Sequence, residues 1–377
     1  VTQPPTWGAP PPQQPGGWPG QPGPGGQWGP QQPWPAPVPP KKGGAAKWAI
    51  GAVSLVAVIA VTAVVAVSCT KNSGDSKGGG GGTDTSAAPS DVASANDKGP
   101  VGIITEDPSC APWGPIQGLL VGVEGNGWGK RDQSLPPSAW TPEMRVQYEA
   151  VGKAMRKAAD QVVPLAKLTT HRVMRELYGQ FIAYARAYAE KTSNLVTYVP
   201  VDDNLAQAVS SAGSVISYVC DAISSGAAAA RAPIAPGMAA PTSVAPIGDI
   251  ANPKRIFDTP DAVCADLSPT LNQLLLNPTF KSWLNTDPKI PVSNWAPEQQ
   301  ALTDAVLPVM ASTADALEKL AGQSSNPIVQ DFLLLGVQYR RTYIQALPTY
   351  QPGDSNIYLA GQLSPGVVAA ACDAISG

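Results

Sequence analysis

Cys220-Asp221-Ala222-Ile223-Ser224 recurs as Cys372-Asp373-Ala374-Ile375-Ser376, and an opening cysteine, Cys110 or Cys264, stands well upstream of each. Laying one segment on the other extends the match outward. Trp140-Thr141-Pro142-Glu143 falls on Trp295-Ala296-Pro297-Glu298, and the same ungapped spacing pairs Ala150-Val151 with Ala305-Val306, Met155 with Met310, Ala159-Asp160 with Ala314-Asp315 and Leu165 with Leu320. It continues through Tyr184, Arg186 and Tyr188 onto Tyr339, Arg341 and Tyr343. After a short deletion, Tyr198 and Pro200 meet Tyr350 and Pro352, and the closing cysteines coincide. A tandem duplication accounts for one register held over so long a stretch.

Each copy reads as helical. Thr141 is placed to cap a helix, with Pro142 at its first position and Glu143 in its first turn. Met144, Tyr148, Val151, Met155, Ala158, Val162 and Leu165 then recur at steps of three and four, which makes one apolar face; Leu302, Val306, Val309, Leu317 and Leu320 repeat it. Pro164 is expected to bend or end this helix. A second helix over about 170–191 carries Val173, Leu177, Phe181, Tyr184 and Tyr188, and its counterpart carries Ile328, Phe332, Tyr339 and Tyr343. A last helix runs into each Cys-Asp-Ala-Ile-Ser segment. The expected fold is all-α: two tandem small helical bundles, residues 105–226 and 258–377. Cys110 should pair with Cys220, and Cys264 with Cys372. Closing a loop of about 100 residues is worth roughly 4.7 kcal/mol in the loop-entropy model.

Composition divides the rest. Of the 41 prolines and 37 glycines, 17 and 18 fall in the first hundred residues, well above their share of the length. Residues 1–40 hold no charge and no means of building a core, so a disordered tail is expected; Trp7, Trp18, Trp28 and Trp34 would be points of self-association or partner docking on it. Residues 41–70 carry Lys41, Lys42 and Lys47 ahead of an uncharged run from Trp48 to Ser68. That run is long enough to span a bilayer, with the N-terminus inside and the C-terminal part outside. Cys69, just past it, is free, dimer-forming or lipidated. Residues 71–104 read as a flexible Gly/Ser linker and 227–257 as an Ala/Pro-rich one. Four cysteines bracketing two repeats suit an oxidising, extracytoplasmic compartment. A net charge of −3 with 14% charged residues gives no nucleic-acid footprint.

Motifs for catalysis are sparse. The one histidine, His171, aligns with Asn326 at a helix start, and no cofactor or metal set is evident. Gly125-Asn126-Gly127-Trp128-Gly129 reads as a turn, because no strand precedes it. Glu143 and Glu298 fit helix first turns, where a carboxylate meets the macrodipole, and Asp160 and Asp315 fit inter-helix contacts. The repeated set Tyr184, Arg186, Tyr188 with Tyr339, Arg341, Tyr343 has two readings. One packs the tyrosines in the core and pairs Arg186 with Asp160 or Asp221; the other makes the set a binding surface for a polar ligand or partner.

The tail, the single span and the cysteine-bracketed outer region together resemble proline-rich single-pass membrane proteins of mycobacteria and related actinobacteria. Trp140-Thr141-Pro142-Glu143 and His171-Arg172-Val173-Met174-Arg175-Glu176-Leu177-Tyr178 are the segments most similar to that group. The resemblance implies an anchored cell-envelope protein and transfers no catalytic residues. The resulting expectation is a non-enzymatic envelope protein whose duplicated ectodomain binds a partner protein or envelope component, as an accessory subunit of a membrane complex. The alternative is an extracytoplasmic sensor for a small molecule or lipid.

Overall fold

The computed structural model describes residues 91–375. The expected tail, the span at 41–70 and Cys69 lie outside them. Among the described residues there is no strand, and no helix is long and apolar enough to cross a membrane.

The first copy comprises α1 (Cys110–Glu124), α2 (Pro142–Leu168), α3 (Arg172–Ser193) and α4 (Asp203–Ser224). A short α5 (Ala227–Arg231) follows. The second copy comprises α6 (Val263–Leu276), α7 (Pro278–Trp283), α8 (Pro297–Ala321), α9 (Pro327–Ala346) and α10 (Asp354–Asp373). Thr141 caps α2 by accepting from the Met144 N–H at 3.3 Å. At the equivalent start of α8, Ala296 has no side chain to offer. Helix α2 runs through Pro164 without ending, contrary to expectation. Pro164 and Asp160 are both exposed, so the carbonyl that the proline leaves unbonded faces water.

The duplication is visible atom by atom. The Trp140 and Trp295 indoles each donate to a backbone carbonyl five residues earlier, at Leu135 and Ile290, both at 2.9 Å. Asp202 accepts from the Val199 N–H at 2.9 Å and Asp354 from the Gln351 N–H at 2.8 Å, which fixes the entry to α4 and α10 alike. Cys110 is bonded to Cys220 and Cys264 to Cys372, with Cα atoms 5.3 and 5.6 Å apart. Each bond ties the first turn of an opening helix to the end of the last helix of its copy.

The copies are not separate bundles, and this corrects the sequence reading. Helices pack in the order α2, α3, α4, α10, α9, α8, so α4 of one copy lies along α10 of the other. Equivalent helices meeting in this way form the isologous pattern of a two-fold pair. Both helices are closely enclosed: Val209, Ala212, Ile216, Val367, Val368 and Ala371 are all fully buried. At burial of about 25 cal/mol per Å2, this seam adds to one core instead of dividing two. Near α10, Gly361 lets α9 approach closely, since a Cβ there would stand 2.9 Å from both the Arg340 nitrogen and the Tyr339 Cβ.

Charge also crosses the seam. Arg172 at the start of α3 donates through Nε and Nη2 to the Asp331 carboxylate of α9, at 2.6 and 3.0 Å, and both side chains are buried. Glu176, the repeat equivalent of Asp331, faces it. Burial, and then the charge of Asp331, push the Glu176 carboxyl well above the ordinary carboxylate range.

Both linkers are more ordered than their composition implies. Residues 91–104 are built into the fold: Val92, Val101 and Ile104 are buried, Ser94 accepts from Arg175, and the Ile104 N–H donates to the Tyr339 hydroxyl. The end of the inter-copy segment is held by side chains of both copies, among them Asn326, which donates to the Ile256 carbonyl at 3.1 Å. Gln180 of α3 donates to the Lys254 carbonyl at 3.1 Å and accepts from the Ile256 N–H at 2.8 Å, while Ile256 and Phe257 are buried beneath.

Candidate interaction groove

That segment borders an open surface groove. Residues 253–258 lie over α2 and α3 and leave an open groove of about 450 Å3. Ala183 and Ala187 of α3 are among its lining residues, and their small side chains leave its middle open. Arg156, Arg186, Lys254 and Arg255 bring positive charge to it, and Glu190 and Asp258 bring negative.

Helical spacing explains the composition. Arg156 is exposed, off the apolar stripe of α2, and Ala183, Arg186, Ala187 and Glu190 follow one another on α3 at steps of three, one and three, which share a face. Arg186 is held in place: its Nη2 donates to Asp160 Oδ1 at 2.8 Å, and its Nη1 donates to the Ala251 carbonyl and to Asn252 Oδ1. The side chains of Arg156, Lys254 and Arg255 make no ion pair among the described residues. The Tyr184 hydroxyl is buried without a hydrogen-bond partner, and the charges that act on it are those of Arg255 and Asp258 in the groove. Burial raises this phenol far above its ordinary range.

Of the six residues of the repeated Tyr-Arg-Tyr set, the structure brings only Arg186 into this groove. Tyr184, Tyr188 and Tyr339 are wholly buried and Tyr343 is 3% exposed, so the four tyrosines are core residues and not a surface. Tyr188 and Tyr343 pack edge-on against Trp128 and Trp283, which are themselves repeat equivalents. Arg341 is exposed but pinned between Asp315 and Glu318, both at 2.7 Å. His171 stands at the N-cap of α3 with no side-chain cap and places Nε2 3.0 Å from the Glu106 carbonyl. Among the described residues no group of acids, cysteines and histidine is gathered to hold a metal.

The second copy does not repeat the residues that line the groove. Its equivalents of Arg156, Ala187 and Glu190 are Ala311, Thr342 and Gln345, and Leu335 replaces the clamping Gln180. Sequence reasoning missed Lys254 and Arg255 because they sit in a segment read as linker. The available signal was a basic pair, Lys254-Arg255, interrupting an Ala/Pro-rich run.

The chain belongs to the family of mycobacterial ESX-1 associated proteins, whose model matches residues 92–377. It is also similar to an uncharacterized protein of Mycolicibacterium smegmatis (strain MKD8), at 46% identity over 332 residues, covering 88% of this chain and 86% of that relative. No solved structure matches.

Proposed function

We propose that this chain is a non-catalytic accessory protein of the ESX-1 secretion system. It is anchored by the apolar run at 41–70, and its duplicated helical region, outside the membrane, docks a partner protein of that system. The family assignment supports the link to secretion, and the two disulfides support an oxidising compartment. The observation that carries the docking role is the groove on the first copy: a surface where Arg156, Lys254 and Arg255 make no ion pair among the described residues, with a charged lining that the second copy does not repeat. Its polar lining favours a protein segment over a lipid or other apolar ligand.

A photo-crosslinking residue placed at Ala187 in cells, with a control at the equivalent Thr342, tests the proposal. Capture of a secretion-system component from Ala187 but not from Thr342 is the expected result. Capture from neither position, or equally from both, would sink it.

A further inference from the structure

We infer that the occupant of the groove is an acidic protein segment, held through its carboxylates by Arg156 and Arg255. This rests on the docking role proposed above and specifies its chemistry.

The charge balance points that way. The groove carries four cations and two acids. Only Arg186 among the cations is ion-paired, to Asp160 outside the lining. The chain as a whole is at −3, so the groove is a local positive site on a negative protein. A guanidinium has a planar fork that fits a carboxylate with two parallel hydrogen bonds, and Arg156 and Arg255 both have theirs unused among the described residues.

The two acids decide between classes of anion. Glu190 and Asp258 put negative charge in the lining, which repels a uniform polyanion such as nucleic acid or an anionic membrane face. A peptide tolerates them, because its backbone N–H groups and occasional basic side chains find acceptors there. A volume of about 450 Å3 accommodates a few side chains, not an extended polymer.

The test uses the full chain and a fluorescein-labelled, Asp/Glu-rich decapeptide, with its Asn/Gln counterpart as control. The acidic peptide should bind at low salt and weaken as salt rises. The double substitution Arg156→Ala/Arg255→Ala should reduce its affinity about tenfold or more, while thermal stability stays close to that of the parent. Equal binding of the two peptides, no effect of the arginine substitutions, or displacement of the peptide by phosphatidylglycerol vesicles would overturn the inference. The crosslinking experiment separates this failure from that of the docking role. Undiminished capture from Ala187 in the Arg156→Ala/Arg255→Ala background would refute the acidic segment and leave docking standing, whereas no capture in the unaltered background would refute docking itself.

Discussion

The two copies share a scaffold and divide over where they put charge. The first buries its ionic groups as a mutually paired set. Arg131 lies over the Trp128 ring at 3.4 Å and bonds Asp203, which also accepts from the Tyr148 hydroxyl; Glu124 sits nearby at the end of α1, and the groove lies on the outer face. At the equivalent positions the second copy has Thr286, Ser355, Thr303 and Thr279. It instead encloses a single cation, Arg340, whose Nη2 donates to Gln362 while Nε and Nη1 have no partner. The first copy holds Ala185 and Ser210 at those two places. What the copies keep in common (the indole-to-carbonyl bond, the aspartate at the last helix entry, the arginine-aspartate pair between the second and third helices, the disulfide) is what the fold needs. What they do not share marks where each has specialised.

The widest test of this equivalence removes the disulfides in turn. The closed loops span 110 and 108 residues, so Cys110→Ser/Cys220→Ser and Cys264→Ser/Cys372→Ser should lower the urea-unfolding free energy by nearly the same amount, about 4.7 kcal/mol each in the entropy model. Clearly unequal losses would mean that native packing, not chain entropy, distinguishes the copies.

Two of the buried arginines, Arg172 and Arg340, should then part company. Arg172→Met strands the Asp331 carboxylate and should reduce stability by roughly 3–5 kcal/mol. Arg340 has no acid to strand, and burial already lowers its pKa to about 10. Arg340→Met should therefore leave stability unchanged or raise it. A large loss on Arg340→Met would show that this guanidinium is compensated in a way its neighbours do not reveal.

A pH series sharpens the contrast at Glu124. Burial, partly offset by Arg131, raises its pKa from 4.5 to about 7. The folded chain therefore holds this proton over a range where the unfolded chain has lost it. The contribution to stability is fully present below pH 4.5 and is lost as pH rises through 7, in total roughly 3 kcal/mol. Glu124→Gln should flatten that part of the stability-versus-pH curve, while Thr279→Val at the equivalent position should leave its shape alone. The smallest effect concerns the cap. Ala296→Thr should stabilise by about 1 kcal/mol and Thr141→Ala should remove a similar amount, both read from thermal midpoints.

Much of the scaffold is written in local pattern. The cysteine bracket, the cap at Thr141, the apolar stripe of α2 and the pairing of Arg186 with Asp160 all concern residues a few turns apart or repeated in register, so periodicity exposes them. The seam is different. Arg172 meets Asp331 and α4 meets α10 through contacts between distant residues, and nothing in either segment advertises its partner. Composition also misleads where side chains distant in sequence override it. Residues 253–257 look like linker, yet Gln180 bonds them on both sides, and without that the groove would have no wall. Pro164 shows the same gap, because whether a helix survives a proline depends on which way the freed carbonyl faces.

The pairing of equivalent helices has a historical consequence. A surface that meets its own duplicate could have been closed, in an ancestor carrying one unit, by a second molecule of the same protein. In such a homodimer every substitution appears twice, so an arginine opposite an aspartate brings its mirror image with it. Joining the two genes into one lifted that constraint, and Arg172 bonding Asp331, with Pro327 standing where its twin would be, records the freedom gained.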